Sequence, residues 1–276
     1  MSSSSWGQEP EAALKYLLFQ AMGSTFILIG TLHPLISLFP LFGLCIKLGL
    51  APIHFWFPSV IKRLNWVSAA LLITWQKIAP ITIMISFFSS YKSTLCLIGA
   101  LSALIGGLGG FSQSHIRPLL AYSSIGHIGW IVSTSSFAPR IAIFYLIIYI
   151  FISIALIARV SLSNLNSIFQ SSKPLYTPLI FLVLPCTLSL SGLPPFIGFF
   201  PKLFSLQSFS IYIIPLFLLL GSLLNLSYYL NFFFSLFFSS SKSFFSFYLN
   251  KVPFTTALIA LLSIRPIPLI YIYALF

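Results

Sequence analysis

The sequence predicts an all-α fold: a polytopic membrane helix bundle of about nine spans, forming a single transmembrane domain over residues 1–276. Three observations carry this. First, Glu9 and Glu11 are the chain's two acids, and charged residues make up 6% of it. A water-facing surface normally takes about a quarter. Second, hydrophobic residues reach 58%, aromatics 17% and mean hydropathy +1.04, a balance that also excludes disorder. Third, the apolar residues form continuous runs. A β-barrel strand would instead alternate apolar and polar over about ten residues.

At roughly 20 apolar residues per span plus a turn, nine stretches follow in order. They are 12–32, 35–56, 66–89, 94–113, 117–136, 141–160, 175–201, 211–237 and 253–276, with the longest polar breaks at 161–174 and 238–252. The first opens after Glu9 and Glu11. The third carries Lys77 near its middle and Pro80 three residues later. In the fourth, Gly106 and Gly110 form a small-xxx-small pair suited to close helix packing, and His127 lies mid-way along the fifth. Nine spans put the amino terminus and every second break on one side, with Lys62, Arg63, Arg117, Arg159, Lys173, Lys242 and Lys251. The opposite breaks hold Lys92 and Arg140. That asymmetry places the amino terminus on the matrix or cytoplasmic side.

Two segments are not simple helices. G-L-A-P-I-H-F-W-F-P runs from Gly49 to Pro58, and G-L-P-P-F-I-G-F-F-P from Gly192 to Pro201. They share G-L-x-P-x4-F-P, and proline removes a helical hydrogen bond and clashes with the preceding turn. Broken helices are therefore expected at about 35–58 and about 175–205. As the second and seventh spans they cross in opposite directions, which points to the inverted repeats of a transporter. A chance match of two Pro-rich loops is the competing reading.

A charge inside hydrocarbon costs on the order of 2.5–3.5 kcal/mol on insertion scales, so deep charges need a partner, water or a function. Lys77 is at the membrane centre, Lys47 lies two residues before the first broken motif, and Lys202 directly follows the second. Burial disfavours an ammonium, so such lysines suit proton relay; the alternative is snorkelling to the interface. For Lys15 and Arg159, near span ends, snorkelling is the favoured reading. His127 can accept on one ring nitrogen and donate on the other, bridging the lysines, or it can be a plain interhelical hydrogen bond. His54, after the Pro52 break, is open to the same two readings. His33 and His115 fall in breaks and read as solvated.

Other chemistries lack a signature. G-G-L-G-G at 106–110 lies in an apolar span without a strand or a downstream acid. Cys45, Cys96 and Cys186 are isolated, with no CxxC, and no carboxylate or Cys/His set for a metal is visible. The net charge of +12 is dispersed, with no block of five cations, so nucleic acid is not an expected partner; the lipid bilayer is. The first ten residues show neither a secretory nor a transit pattern, so a mitochondrial location would imply synthesis inside the organelle.

Five motifs in order resemble one family: E-A-A-L-K-Y-L-L-F-Q-A at 11–21, K-L-G-L-A-P-I-H-F-W-F-P at 47–58, T-W-Q-K-I-A-P at 74–80, L-L-A-Y-S-S-I-G-H-I-G-W at 119–130 and S-G-L-P-P-F-I-G-F-F-P-K at 191–202. The chain is similar to NADH–ubiquinone oxidoreductase chain 2, the antiporter-like subunit of respiratory complex I. The resemblance implies a proton-translocating core subunit in the mitochondrial inner membrane, amino terminus on the matrix side, bound to other membrane-arm subunits. It implies no cofactor on this chain; NADH, flavin, iron–sulfur clusters and ubiquinone belong to the complex. It also implies roles: Lys47 at a charge pair, Lys77 as central relay, Lys202 on the exit side, and His127 with His54 along the connecting axis. Two departures stand out. The family has upstream helices, one with a membrane glutamate that partners the lysine matched by Lys47; a start assigned too late is the expected reason for its lack, ahead of a carboxylate from a partner chain or an uncompensated lysine. Pro118 stands where a basic residue is usual. A multi-component cation/proton antiporter subunit and a purely structural membrane-arm subunit remain alternatives.

Overall fold

The computed structural model describes residues 8–32, 38–88, 91–162, 167, 177–210 and 213–240. They form α1 (Gln8–Leu32), α2 (Phe39–Leu48), α3 (Trp56–Arg63), α4 (Trp66–Ile73), α5 (Trp75–Phe87), α6 (Lys92–Phe111), α7 (Ile116–Ser135), α8 (Pro139–Leu162), α9 (Thr177–Ser191), α10 (Phe199–Ser208) and α11 (Ile213–Ser240). Among the described residues, the β pairing seen is one isolated bridge, His115 to Ser167.

Five segments are long and apolar enough to cross a membrane: Glu9–Leu32, Trp66–Phe87, Lys92–Phe111, Pro139–Leu162 and Ile213–Ser235. That is fewer than the nine expected, for three reasons. The two broken segments divide into short helices, and the stretch 253–276 lies outside the described residues. The fifth stretch, α7, is 20 residues long but diluted by serines, glycines and His127. Its environment compensates. Every residue of α7 except Arg117 and Tyr122 is buried, so this polar helix runs through the middle of the bundle, shielded from lipid by its neighbours.

Between helices in lipid, association rests on close packing and hydrogen bonds. α6 and α7 meet backbone to backbone: a Cβ on Gly106 would come 2.6 Å from the Gly126 nitrogen, and one on Gly129 would come 2.9 Å from the Ala103 nitrogen. α11 closes on the other side of α6, where a Cβ on Gly107 would lie 2.7 Å from the Leu224 Cβ and one on Gly110 would meet the Tyr228 ring. The G-G-L-G-G run is thus a packing element, but Gly106 and Gly110 serve two different neighbours. α1 is mostly exposed. It crosses α2 where Gly23 meets Gly43 and stacks Phe19 on Trp56 of α3, ring centroids 5.5 Å apart.

The two breaks share one backbone solution. After α2, the Gly49 amide donates to Ile46 O and the Leu50 amide to Cys45 O; after α9, Gly192 donates to Ser189 O and Leu193 to Leu188 O. This is the pairing of a Schellman motif, which needs a left-handed residue at its turn. Gly49 (φ 67°) and Gly192 (φ 83°) supply it. Beyond each proline the pattern recurs, Phe57 donating to His54 O and Phe200 to Ile197 O.

A third interruption was not expected. The stretch 66–89 divides at Thr74 (φ −114°, ψ −71°), whose hydroxyl donates to Ala70 O at 2.7 Å. Lys77 therefore stands in the first turn of a new helix, with Pro80 inside α5.

Candidate functional site

Of the five site residues read from the sequence, Lys77, His127 and Lys202 are buried in the interior of the bundle, held by α7 and by the end of α9. Lys77 is 2% exposed, and its Nζ donates to Ser124 Oγ on α7 at 3.0 Å. The Ser124 hydroxyl in turn donates to Ala121 O at 2.6 Å. Three residues along the same helix is His127, on the same face and about one turn away. It lies where the two large apolar clusters of the bundle meet, one including Ile125 and Tyr149, the other Ile128 and Tyr145.

His127 is buried, and its Nδ1 lies 3.1 Å from the Tyr145 hydroxyl of α8. Its ring is 5.3 Å from that of Tyr149, one turn further along α8. The other ring nitrogen, Nε2, is buried without a hydrogen-bond partner. At the end of α9, the Ser191 carbonyl accepts from Lys202 Nζ at 2.9 Å. Carbonyls at a helix end lack intrahelical partners and favour a cation. The last carbonyl of α9 thus holds the second lysine. Lys202 is buried, so its stem does not snorkel; it lies across Gly192, where a Cβ would come 2.7 Å from Nζ.

Chemically, the cluster is a series of exchangeable protons: ammonium, hydroxyl, imidazole, phenol and ammonium, carried by α5, α7, α8 and α10. Each neutral member both donates and accepts.

Lys47 and His54 are not in this cluster. Lys47 is half-buried, its stem against Gly23 of α1, where a Cβ would meet Lys47 Cγ at 2.8 Å. Glu11 is engaged elsewhere, at the rim, with Arg63 and with Lys15 at 2.7 Å. His54 is buried at the first break, its Nδ1 3.2 Å from Pro52 O. His115 is exposed and His33 lies outside the described residues. Arg159 corrects an expectation. It is 5% exposed and donates to Cys186 Sγ at 3.1 Å, because α9 packs over the end of α8 and gives the guanidinium a partner inside the bundle.

The sequence reading missed Ser124, Tyr145 and Tyr149. The tyrosines' signal is their spacing of four in a mostly apolar helix, which sets two phenols on one face. On α11, Asn225 is buried and accepts from the Tyr228 hydroxyl at 3.0 Å, extending the polar interior behind α7.

A family model described as NADH:quinone oxidoreductase/Mrp antiporter, transmembrane, matches residues 31–226. NADH–ubiquinone oxidoreductase chain 2 of Lumbricus terrestris is 38% identical over 250 residues, covering 84% of this chain and 73% of that protein. A chain of respiratory complex I from Thermus thermophilus superposes with a TM-score of 0.75 at 28% identity, over 83% of this chain and 60% of its own length. A chain of the Mrp complex from a Dietzia species gives a TM-score of 0.74 at 20% identity, over 82% of this chain and 51% of its own, a likeness of fold alone.

Proposed function

Because the chain belongs to the NADH–ubiquinone oxidoreductase chain 2 family, we propose that it is a core membrane-arm subunit of respiratory complex I and takes part in proton translocation coupled to electron transfer from NADH to ubiquinone. It resides in the mitochondrial inner membrane, amino terminus toward the matrix, against other membrane-arm subunits. Its architecture is two inverted half-bundles within about nine spans, each carrying one broken helix. The matched Schellman turns at Gly49 and Gly192 support that repeat. Nicotinamide, flavin, iron–sulfur and quinone chemistry belongs to the other subunits.

Protons move along Lys77, Ser124, His127, Tyr145 and Lys202, with Lys47 and His54 at the first break serving the approach. The observation that carries this reading is the burial of Lys77, His127 and Lys202 in the interior of the bundle. Burial costs an ammonium its hydration, so a change of charge at one member shifts the balance at the next.

The test is Lys77→Met in the assembled complex, reading protons translocated per NADH oxidised in sealed inner-membrane vesicles. The ratio falls while the complex stays assembled. An unchanged ratio overturns the relay role of Lys77. Sodium-dependent transport without NADH oxidation would instead mark a free-standing cation/proton antiporter.

A further inference from the structure

Lys77 has a second neighbour that the relay does not use. Its Nζ lies over the Phe57 ring, 4.2 Å from the centroid. Both side chains are 2% exposed, so the pair is shielded from water, and an ammonium over an aromatic face gains most there. Ser124 Oγ accepts a hydrogen bond from one of the ammonium's three N–H groups. Neither acid approaches: Glu11 holds Lys15 and Arg63 at the rim, and Glu9 is exposed.

The mounting of Phe57 makes this more than packing. It is the second residue of α3, directly after the first break, and its amide donates to His54 O at 3.1 Å. Its side chain rests on Gly49, the left-handed residue that ends α2, where a Cβ would lie 2.9 Å from Phe57 Cβ. One ring therefore touches the end of α2, the start of α3 and the ammonium of α5. At the other break the aligned Phe200 clusters with Phe204, with Ile141 and Phe144 packed against the pair.

We propose that Phe57 is a positioning residue for Lys77, a cation-binding platform that ties the charge state of the central lysine to the geometry of the first broken helix. This rests on the relay role of Lys77. When α3 shifts against α2 the ring leaves the ammonium, and the proton is released more readily toward His127. The elements packed against α5 carry these titratable groups: Cys45 and Lys47 on α2, Arg117, Tyr122 and His127 on α7, and Arg140, Tyr145, Tyr149 and Arg159 on α8; α4 has none, His54 lies in the break, and α3 has Lys62 and Arg63 at its far end.

The experiment measures protons translocated per NADH oxidised as a function of pH, in vesicles carrying the assembled complex with Phe57→Leu, Phe57→Met or Phe57→Tyr. Leucine and methionine fill the space without an aromatic face. Losing that face destabilises the ammonium, so the alkaline limb of the profile moves about one pH unit toward acid. Tyrosine keeps the face and the original limb. Unchanged limbs in the leucine and methionine variants overturn the proposal. Failure of both to assemble also overturns it, by giving Phe57 a packing role alone. Lys77→Met separates the two readings. If it pumps normally, the relay and this inference fall together; if it does not pump while Phe57→Leu leaves the profile unmoved, this inference falls alone.

Discussion

Tyr145 holds the one hydrogen bond seen on the His127 imidazole, at 3.1 Å on Nδ1. Replacing it with phenylalanine leaves a buried nitrogen without its partner, a cost of about 1–3 kcal/mol, and opens a gap in the line of exchangeable protons. The expected outcome is an assembled complex whose proton-to-NADH ratio falls severalfold. Tyr149→Phe should do less, since that hydroxyl reaches Ile73 O at 3.4 Å. Vesicle pumping assays on the two variants check the order; a larger loss in Tyr149→Phe would contradict it. Lys77, Lys202 and His127 stood out in the sequence because a charge in an apolar run is expensive, whereas Lys47, marked by the same signal, lies outside the cluster. The tyrosines did not, because a phenol passes for an apolar aromatic until its neighbours are known. Arg159 was misread for a related reason: a long stem near a helix end is free to snorkel, and nothing local reveals that Cys186 of another helix will meet it.

At the level of elements, the two glycine turns should respond differently to the same change. Alanine at Gly49 or Gly192 puts a Cβ on a left-handed residue, which costs about 1–2 kcal/mol. At Gly192 the new atom meets Lys202 Nζ at 2.7 Å, the end of a flexible chain that can swing away. Gly192→Ala should therefore assemble but pull the lysine off the Ser191 carbonyl and reduce pumping. At Gly49 the obstacle is Phe57 Cβ at 2.9 Å, fixed to its own backbone, so Gly49→Ala should lower the amount of assembled complex. Native gels and pumping assays distinguish the outcomes, and equal assembly with equal pumping would refute the contrast. These breaks were readable because glycine and proline leave local marks. The Thr74 break was not: threonine is compatible with helix interiors, and the division there appears only in the folded chain. The close packing of α6 on α7 was readable from its glycines, though not which glycine faces which helix.

For the whole molecule, the folded chain gathers its rim charges into two ends. Glu11 meets Arg63, and Arg117 donates to Leu64 O at 2.7 Å and lies 5.1 Å over the Trp66 ring. These contacts join the starts of α1 and α7 to the α3–α4 turn at one end. At the other, Lys92 at the start of α6 lies 5.8 Å over Phe137, and Phe137 packs against Phe209 beyond α10. Lys62, Arg63 and Arg117 thus share one end, and Lys92 and Arg140 belong to the opposite one. The orientation inferred from loop charges assumes such a separation, but sequence parity depends on the span count, whereas these contacts do not. By the positive-inside rule the richer end is the one proposed to face the matrix. Lys62 and Lys92 are both exposed, so they report the orientation. A membrane-impermeant amine reagent should modify Lys92 in mitoplasts, whose outer face is the intermembrane side, and Lys62 in inside-out vesicles. Mass spectrometry of the labelled peptides reads the result. Labelling of Lys62 in intact mitoplasts would overturn the proposed orientation and invert the molecule in its membrane.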